Sequence, residues 1–272
     1  MLAIKNQTLS MAFETMIELS VLLYFVSLFA CGVVGLIIGL YAAKYQSRRS
    51  NCIVINLQGT IAAGKSTQMN LLRKRYENDS TVAFVDEPLD LWVQHGLLEA
   101  YYKTQNSLKL FTGVGFHNSF FPATFQLVAL ITRARLFVAA IKPPHIKLVF
   151  AERSMHADLH VFANANLEGD ANIAAYQLVY DSLQALIPST CHHHFFLHID
   201  TANAMSRIRT RGRKGEDLID LKYMQDLDDG HTKMAKAYES ETHTFDATQD
   251  PNALHDEIVA HVEDLRRSLH SF

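Results

Sequence analysis

Neither sign of charge dominates this chain: 25 Lys and Arg stand against 28 Asp and Glu, a net charge of −3. That balance excludes the basic field by which a protein holds DNA or RNA, and no nucleic-acid partner is expected. Cysteine is scarce as well. Cys31, Cys52 and Cys191 are odd in number and widely spaced, which argues against a disulfide framework and fits a catalytic domain in a reducing compartment. Internal repeats and low-complexity tracts are also missing. What is present, over 272 residues, is length enough for one α/β domain and an appendage.

The appendage is an apolar run. Leu19–Ala43 contains no charged residue. As a helix rising ~1.5 Å per residue it would reach about 37 Å, enough to cross a hydrocarbon core of ~30 Å with some tilt. It is apolar around its whole circumference, unlike a surface helix of a soluble domain. A signal-peptide core would be shorter and preceded by basic residues, and a buried core helix is rarely so long. Acidic Glu14 and Glu18 and the scarcity of arginine argue against a mitochondrial transit peptide. Lys44, Arg48 and Arg49 follow the run, so the positive-inside rule sets its C-terminal side in the cytosol. The expected organisation is an N-terminal tail (1–18), a single transmembrane helix (19–43), a basic linker (44–51) and a catalytic domain (52–272).

In that domain strands and helices alternate, the pattern of a parallel sheet covered on both faces. Strands are expected at Ile53–Leu57, Val82–Val85, Lys147–Ala151, Phe195–Ile199 and Thr244–Ala247. Ala253–Leu269 closes the chain as an amphipathic helix, with Leu254, Ile258, Val259, Val262 and Leu265 at helical spacing. Ligands of such sheets sit beyond the carboxyl ends of the strands.

Directly after the first strand, Gly59 to Ser66 read G-T-I-A-A-G-K-S, a phosphate-binding loop of the form GxxxxGK[ST]. Gly59 and Gly64 allow a turn tight enough to aim successive N–H groups at phosphate oxygens. Lys65 supplies a point charge for the β- and γ-phosphates, and the Ser66 hydroxyl suits Mg²⁺. A helix starting near Lys65 directs its positive dipole end at the same anion. A nucleoside triphosphate is the expected ligand.

Two more strand ends carry chemistry. V-D-E-P-L-D-L-W, Val85 to Trp92, sets Glu87 just before a proline, where it would face an attacking hydroxyl or sit as a surface acid in a turn. L-V-F-A-E-R-S, Leu148 to Ser154, places Glu152 where a P-loop protein holds Mg²⁺ and Arg153 where it would neutralise a transferring group; a structural ion pair is the alternative. Arg207, Arg211 and Arg213 cluster in R-I-R-T-R-G-R, as phosphate ligands or as a solvated helix face. The run Cys191-His192-His193-His194 precedes the fourth expected strand without the spaced partners of a metal site.

G-x-x-x-x-G-K-S, E-P-x-x-x-W, F-Q, E-R-S and R-x-x-x-R-G-R, in this order, resemble the cellular deoxynucleoside kinase family over about residues 52–270. The resemblance implies a P-loop kinase with a central five-stranded parallel sheet, transferring phosphate from ATP to the 5′-hydroxyl of a deoxynucleoside with Mg²⁺, as a homodimer. It implies that Gly59, Ala62, Ala63, Gly64, Lys65, Ser66 and Thr67, with the lid arginines 207, 211 and 213, surround ATP. Glu87 would be the base, with Arg153 and Lys65 at the transferring group and Ser66 with Glu152 around Mg²⁺. Trp92, Tyr102, Gln126, Arg133, Asp158, Phe162 and Glu216 would bind the nucleoside, with Tyr102 and Glu216 at the sugar 3′-hydroxyl and Gln126 at the base edge. Trp92 and Phe162 would be equally ordinary as core aromatics. In the family an arginine and an aspartate at positions 133 and 158 accompany deoxycytidine and purine substrates, so these are expected over thymidine. E-R-S, in place of D-R-x, speaks against a thymidylate kinase.

Between Tyr102 and Gln126 the chain departs from the family by about a dozen extra residues, including the glycine- and aromatic-rich stretch Phe111–Phe121. Two rival readings are a nucleotide-binding scaffold subunit of a membrane complex and a nucleoside monophosphate kinase. Lys65, Glu87, Arg153 and the lid arginines favour the enzyme, since a decayed relative would be expected to lose some of them. If anchor and catalytic domain are separable, a chain beginning at Asn51 is expected to be soluble and to phosphorylate deoxynucleosides in buffer alone. Activity that needs detergent and the preceding residues would contradict that separability.

Overall fold

The computed structural model describes residues 52–110, 120–167, 169–188, 190–213 and 215–269. The expected transmembrane run Leu19–Ala43, the linker and residues 111–119 of the insertion lie outside the described residues. Arg49–Asp181 and Ser189–Phe272 form one compact unit, and the elements that carry the site belong to it.

Its centre is a sheet of β1 (Ile53–Gln58), β2 (Val82–Val85), β3 (Leu148–Glu152), β4 (Cys191–His198) and β5 (Thr242–Asp246), in the order β2-β3-β1-β4-β5. Every pairing is parallel. The α/β class and the five-stranded parallel sheet read from the sequence are therefore the ones found, while the transmembrane helix expected before them lies outside the described residues. β1 and β3 are buried along their whole length, which explains their unbroken apolar runs. In the β1–β3 register Leu57 stands opposite Glu152, and the Arg153 N–H donates to the Leu57 carbonyl at 2.9 Å. The turn after β1 and the E-R-S segment thus leave the sheet side by side.

Eight helices among the described residues cover the sheet and carry the site. They are α1 (Lys65–Arg75), α2 (Leu89–Gln94), α3 (Leu97–Leu110), α4 (Phe120–Ile141), α5 (Asp170–Gln184), α6 (Thr201–Arg211), α7 (Leu221–Ala237) and α8 (Pro251–Leu269). Asp200 caps α6 by accepting from the Asn203 N–H at 2.9 Å, and Asp220 caps α7 by accepting from the Tyr223 N–H at 2.8 Å. α8 buries Leu254, Ile258 and Val262, three of the five residues expected to form its apolar stripe. α4 contains a span, Pro122–Ile141, long and apolar enough to cross a membrane by length and composition. Its buried Phe125, Leu130, Phe137 and Ile141 instead serve the core of this domain. After β3 the chain makes an α turn (Met155–Ala157), a π-helical stretch (Asp158–Ala163) and an α turn again (Asn164–Asn166). A π-helical insertion re-aims side chains and recurs at functional sites.

β4 corrects one expectation. It begins at Cys191, so the histidine run forms the first half of a central strand instead of preceding it. Burial pushes the rings of His192 and His194 down to about 4 and about 3, and they enter the layer neutral. His192 bonds Thr190 at 2.7 Å and Asn56 at 3.3 Å, while His194 approaches Gln58 at 3.4 Å. His156, after β3, meets both edge-on, with centroids 5.6 and 5.4 Å away. Polar partners on β1 let a histidine-rich segment occupy a strand that its composition disguises.

Gly59 ends β1 at φ +140°, and a Cβ there would stand 2.6 Å from the Leu197 carbonyl oxygen. Gly59→Ala is therefore expected to lower stability by roughly 2 kcal/mol or more, because neither the backbone angle nor the neighbouring carbonyl can yield. A denaturant midpoint equal to that of the parent would show that the turn relaxes.

Candidate active site

At the carboxyl ends of the strands lies a cavity of about 430 Å³. It is lined by every residue expected from the sequence to act in catalysis, nucleotide binding or metal binding, except Gly59. Gly59 takes part through its carbonyl, which accepts from Lys65 Nζ at 3.1 Å and from an Arg153 guanidinium nitrogen at 2.9 Å.

The loop from Gly59 to Gly64 turns through three residues of positive φ: Gly59, Ala62 (+65°) and Gly64 (+95°). Lys65, first residue of α1, is buried and also donates to the Thr60 carbonyl at 2.7 Å. Burial, with Arg153 nearby, lowers its ammonium from 10.5 to about 7, against the opposing pull of Glu152 and Glu87. Next to it, Ser66 Oγ donates to Glu152 Oε1 at 2.7 Å.

Glu87, beyond the end of β2, lies 3.1 Å from both Arg133 and Arg153. The Arg133 contact is a hydrogen bond; Arg153 Nε faces the same oxygen as an ion pair without hydrogen-bond alignment. Burial acts to raise the Glu87 carboxyl, but Arg153, Arg133 and Lys65 outweigh it and hold the group below the usual carboxylate range. Arg153 itself has φ +67°, rare for a residue with a side chain. Its guanidinium lies 4.5 Å from the Phe162 ring centroid, a cation–π contact. Arg133, two turns after Gln126 on α4, donates to Asp158 and to the Glu152 carbonyl, both at 2.8 Å. Arg133, one of the two residues expected to read the base, therefore also braces Glu87.

On the lid side, Glu216 is buried and accepts from Arg211 at 2.7 and 3.1 Å and from Arg213 at 3.4 Å. Arg207 donates to the Ala247 carbonyl at 2.8 Å and to the Ala62 carbonyl at 3.5 Å, tying the phosphate loop to the segment after β5. All three arginines line the cavity, and Arg211 and Arg213 are also exposed to solvent there. On the aromatic side, Trp92 packs edge-on to Phe125 at 5.4 Å, and Tyr101 stacks on Phe125 at 4.6 Å. Gln126 is buried beside them and donates to the Tyr101 hydroxyl at 3.3 Å.

Sequence reasoning missed Tyr101, Tyr223, Phe125 and the wall formed by Ala247, Gln249, Pro251 and Leu254. The wall had a usable signal, because it follows β5 directly and strand ends are where ligands bind. Tyr101 had none to separate it from Tyr102, which also lines the cavity and is buried.

A phosphate loop, a buried acid facing it across one cavity and an arginine lid on a five-stranded parallel sheet define a P-loop phosphotransferase. The family model described as deoxynucleoside kinase matches residues 55–265, and the chain belongs to that family. It is a deoxynucleoside kinase. Deoxycytidine kinase 2 of Gallus gallus is 31% identical over 192 residues, covering 64% of this chain and 70% of the relative. Deoxycytidine kinase of Bos taurus is 26% identical over 243 residues, covering 79% and 91%. Among solved structures, a deoxyadenosine kinase from M. mycoides with products dCMP and dCDP superposes with TM-score 0.62 at 21% identity, covering 78% of this chain and 99% of that one. At that identity the likeness speaks for the fold.

The Lys65 environment yields a pH-dependent prediction. Its ammonium has a folded pKa of about 7 against 10.5 for the ordinary group. Between these values the unfolded chain holds a proton that the folded chain has shed, so stability rises with pH through that window. Lys65→Met removes the buried cation, and its gain in unfolding free energy is expected to be largest at pH 6 and smaller at pH 9. Urea titrations at the two pH values measure the difference; a gain that does not shrink contradicts the assignment.

Proposed function

We propose that this kinase phosphorylates the 5′-hydroxyl of deoxynucleosides from ATP, with deoxycytidine and deoxypurine nucleosides preferred over thymidine. The observation that carries the reading is the cavity shared by Lys65 and Glu87, with two arginines on the acid. The phosphate loop, Lys65 and the lid arginines take the triphosphate, and the aromatic end takes the nucleoside. Glu87, kept ionised, accepts a hydrogen bond from the 5′-hydroxyl and orients that oxygen toward the γ-phosphorus. It receives the proton as the new P–O bond forms and the bond to the β,γ-bridging oxygen breaks, the electron pair leaving with ADP. Arg153, already beside Glu87, balances negative charge on the transferring phosphoryl group. Little covalent help is needed in such a transfer; position and positive charge are the main contributions.

Ser66 Oγ and Glu152 Oε1, 2.7 Å apart, form the hard oxygen donor set that suits Mg²⁺. Bound there with the triphosphate, the ion would supply charge neutralisation between phosphate oxygens. Glu216 and Tyr102 are assigned to the sugar 3′-hydroxyl, Gln126 to the base edge, and Trp92 and Phe162 to its faces. The carboxylate of Asp158 favours an exocyclic amino group, and the Arg133 guanidinium bonded to it crowds the space a thymine methyl would need. The names of the deoxycytidine kinase relatives agree with this preference. A homodimer belongs to the same reading and rests on family membership. Leu19–Ala43, by its length and the basic residues after it, is assigned as a membrane anchor with the kinase domain on the cytosolic side.

Glu87→Gln tests the core of the proposal. The substitution keeps the shape and removes the proton acceptor, so ATP affinity should persist while turnover falls about a hundredfold, the scale of lost general-base catalysis. Near-normal turnover would remove Glu87 from the role.

A further inference from the structure

Gln126 carries an ambiguity of its own. A side-chain amide offers one donor and one acceptor, and turning it over exchanges them. In one orientation it meets a base with an amino group beside an unprotonated ring nitrogen, as in cytosine. Turned over, it meets a carbonyl beside a ring N–H, as in thymine. Some neighbour must fix the amide before it can tell these bases apart.

The neighbour is Tyr101. Gln126 Nε2 donates to the Tyr101 hydroxyl at 3.3 Å, and that hydroxyl lies 3.0 Å from the hydroxyl of Tyr223. Tyr223 is in turn reached by Asn166 Nδ2 at 3.5 Å. The Asn166 amide is itself oriented, because the same nitrogen donates to the Phe162 carbonyl at 2.6 Å, a group that only accepts. Hydrogens are thus supplied from both ends of the tyrosine pair, one from Asn166 and one from Gln126. With Tyr101 giving its own hydrogen to Tyr223, its oxygen accepts from Gln126, and the Tyr223 hydrogen is left for the cavity that Tyr223 lines. The stack of Tyr101 on Phe125, at 4.6 Å and 28°, fixes the ring that presents this oxygen.

We propose that the Tyr101 hydroxyl is the element that sets base discrimination in this enzyme, by holding the Gln126 amide with Nε2 toward itself and Oε1 offered to an exocyclic amino group. The inference rests on the functional reading above and names a residue to which that reading gave no role. It makes the preferred base amino-bearing, and it makes Asp158 and Gln126 Oε1 two acceptors for the same kind of group. Turning the amide over to suit thymine would give up the donation from Nε2 to Tyr101 and, with the Tyr101 hydrogen given to Tyr223, set Oε1 against a bare hydroxyl oxygen.

The test is a comparison of dissociation constants for deoxycytidine and thymidine. The chain has a single tryptophan, and Trp92 lines the cavity, so its fluorescence reports nucleoside binding directly. The parent protein should bind deoxycytidine more tightly. Tyr101→Phe keeps the ring on Phe125 and removes only the hydroxyl, so the thermal midpoint should stay near the parent value. The ratio of the two constants should narrow about tenfold, the scale of one hydrogen bond. Tyr223→Phe, which removes the acceptor for the Tyr101 hydrogen, should narrow it in the same direction. An unchanged ratio, an equal loss for both nucleosides or a parent preference for thymidine would each overturn the inference. Failure of the parent to bind either nucleoside would instead overturn the functional reading on which it stands.

Discussion

One carboxylate between two guanidinium groups organises the cavity. Glu87 comes from the segment after β2, Arg133 from α4 and Arg153 from the end of β3, and the acid lies 3.1 Å from each arginine. Three separate stretches of chain are fixed to one another by charges largely removed from water. Removing one partner from such a group leaves an uncompensated buried charge and costs on the order of 3–5 kcal/mol. That coupling accounts for the backbone of Arg153, held at φ +67°. An unfavourable conformation of this kind persists where the surroundings over-determine it, and here the Leu57 carbonyl, the Gly59 carbonyl, the Phe162 ring and Glu87 all constrain the same residue.

The phosphate end follows the same logic with the signs spread more widely. Lys65 is surrounded by carbonyls of its own loop, Ser66 is bonded to Glu152, and Glu216 gathers Arg211 and Arg213. Arg207 joins Ala62 to Ala247, two residues that flank the cavity from different strand ends. Positive groups are therefore set in position by the fold itself. Electrostatic help in phosphoryl transfer is greatest when the charges need not move to deliver it.

The sheet, its parallel sense, the phosphate loop and the acids at the strand ends were readable because each depends on a local pattern, whereas Tyr102, Gln126, Arg133, Asp158 and Glu216 came from the family resemblance. Ile53–Leu57 is a largely apolar run followed by a phosphate-loop motif, Glu87 stands just past β2 and Glu152 closes β3. The start of β4 was not readable, since His192 and His194 enter a sheet only because Asn56 and Gln58 on β1 receive them. Ala62 and Arg153 carry positive φ without being glycine, and no residue-type preference announces that. The dual engagement of Arg133, with Asp158 and Glu87 together, is a fact of three dimensions that no spacing in the chain announces.

The imidazoles in and beside β4 bear on how the sheet responds to acid. His156, His192 and His194 are pressed together and neutral, with values of about 4, 4 and 3, far below the ordinary 6.5. As acidity rises past that ordinary value, the unfolded chain takes up protons that the native sheet refuses, and the native state loses ground at all three positions together. Acidification would thus weaken the centre of the sheet, which neutral pH leaves at full strength.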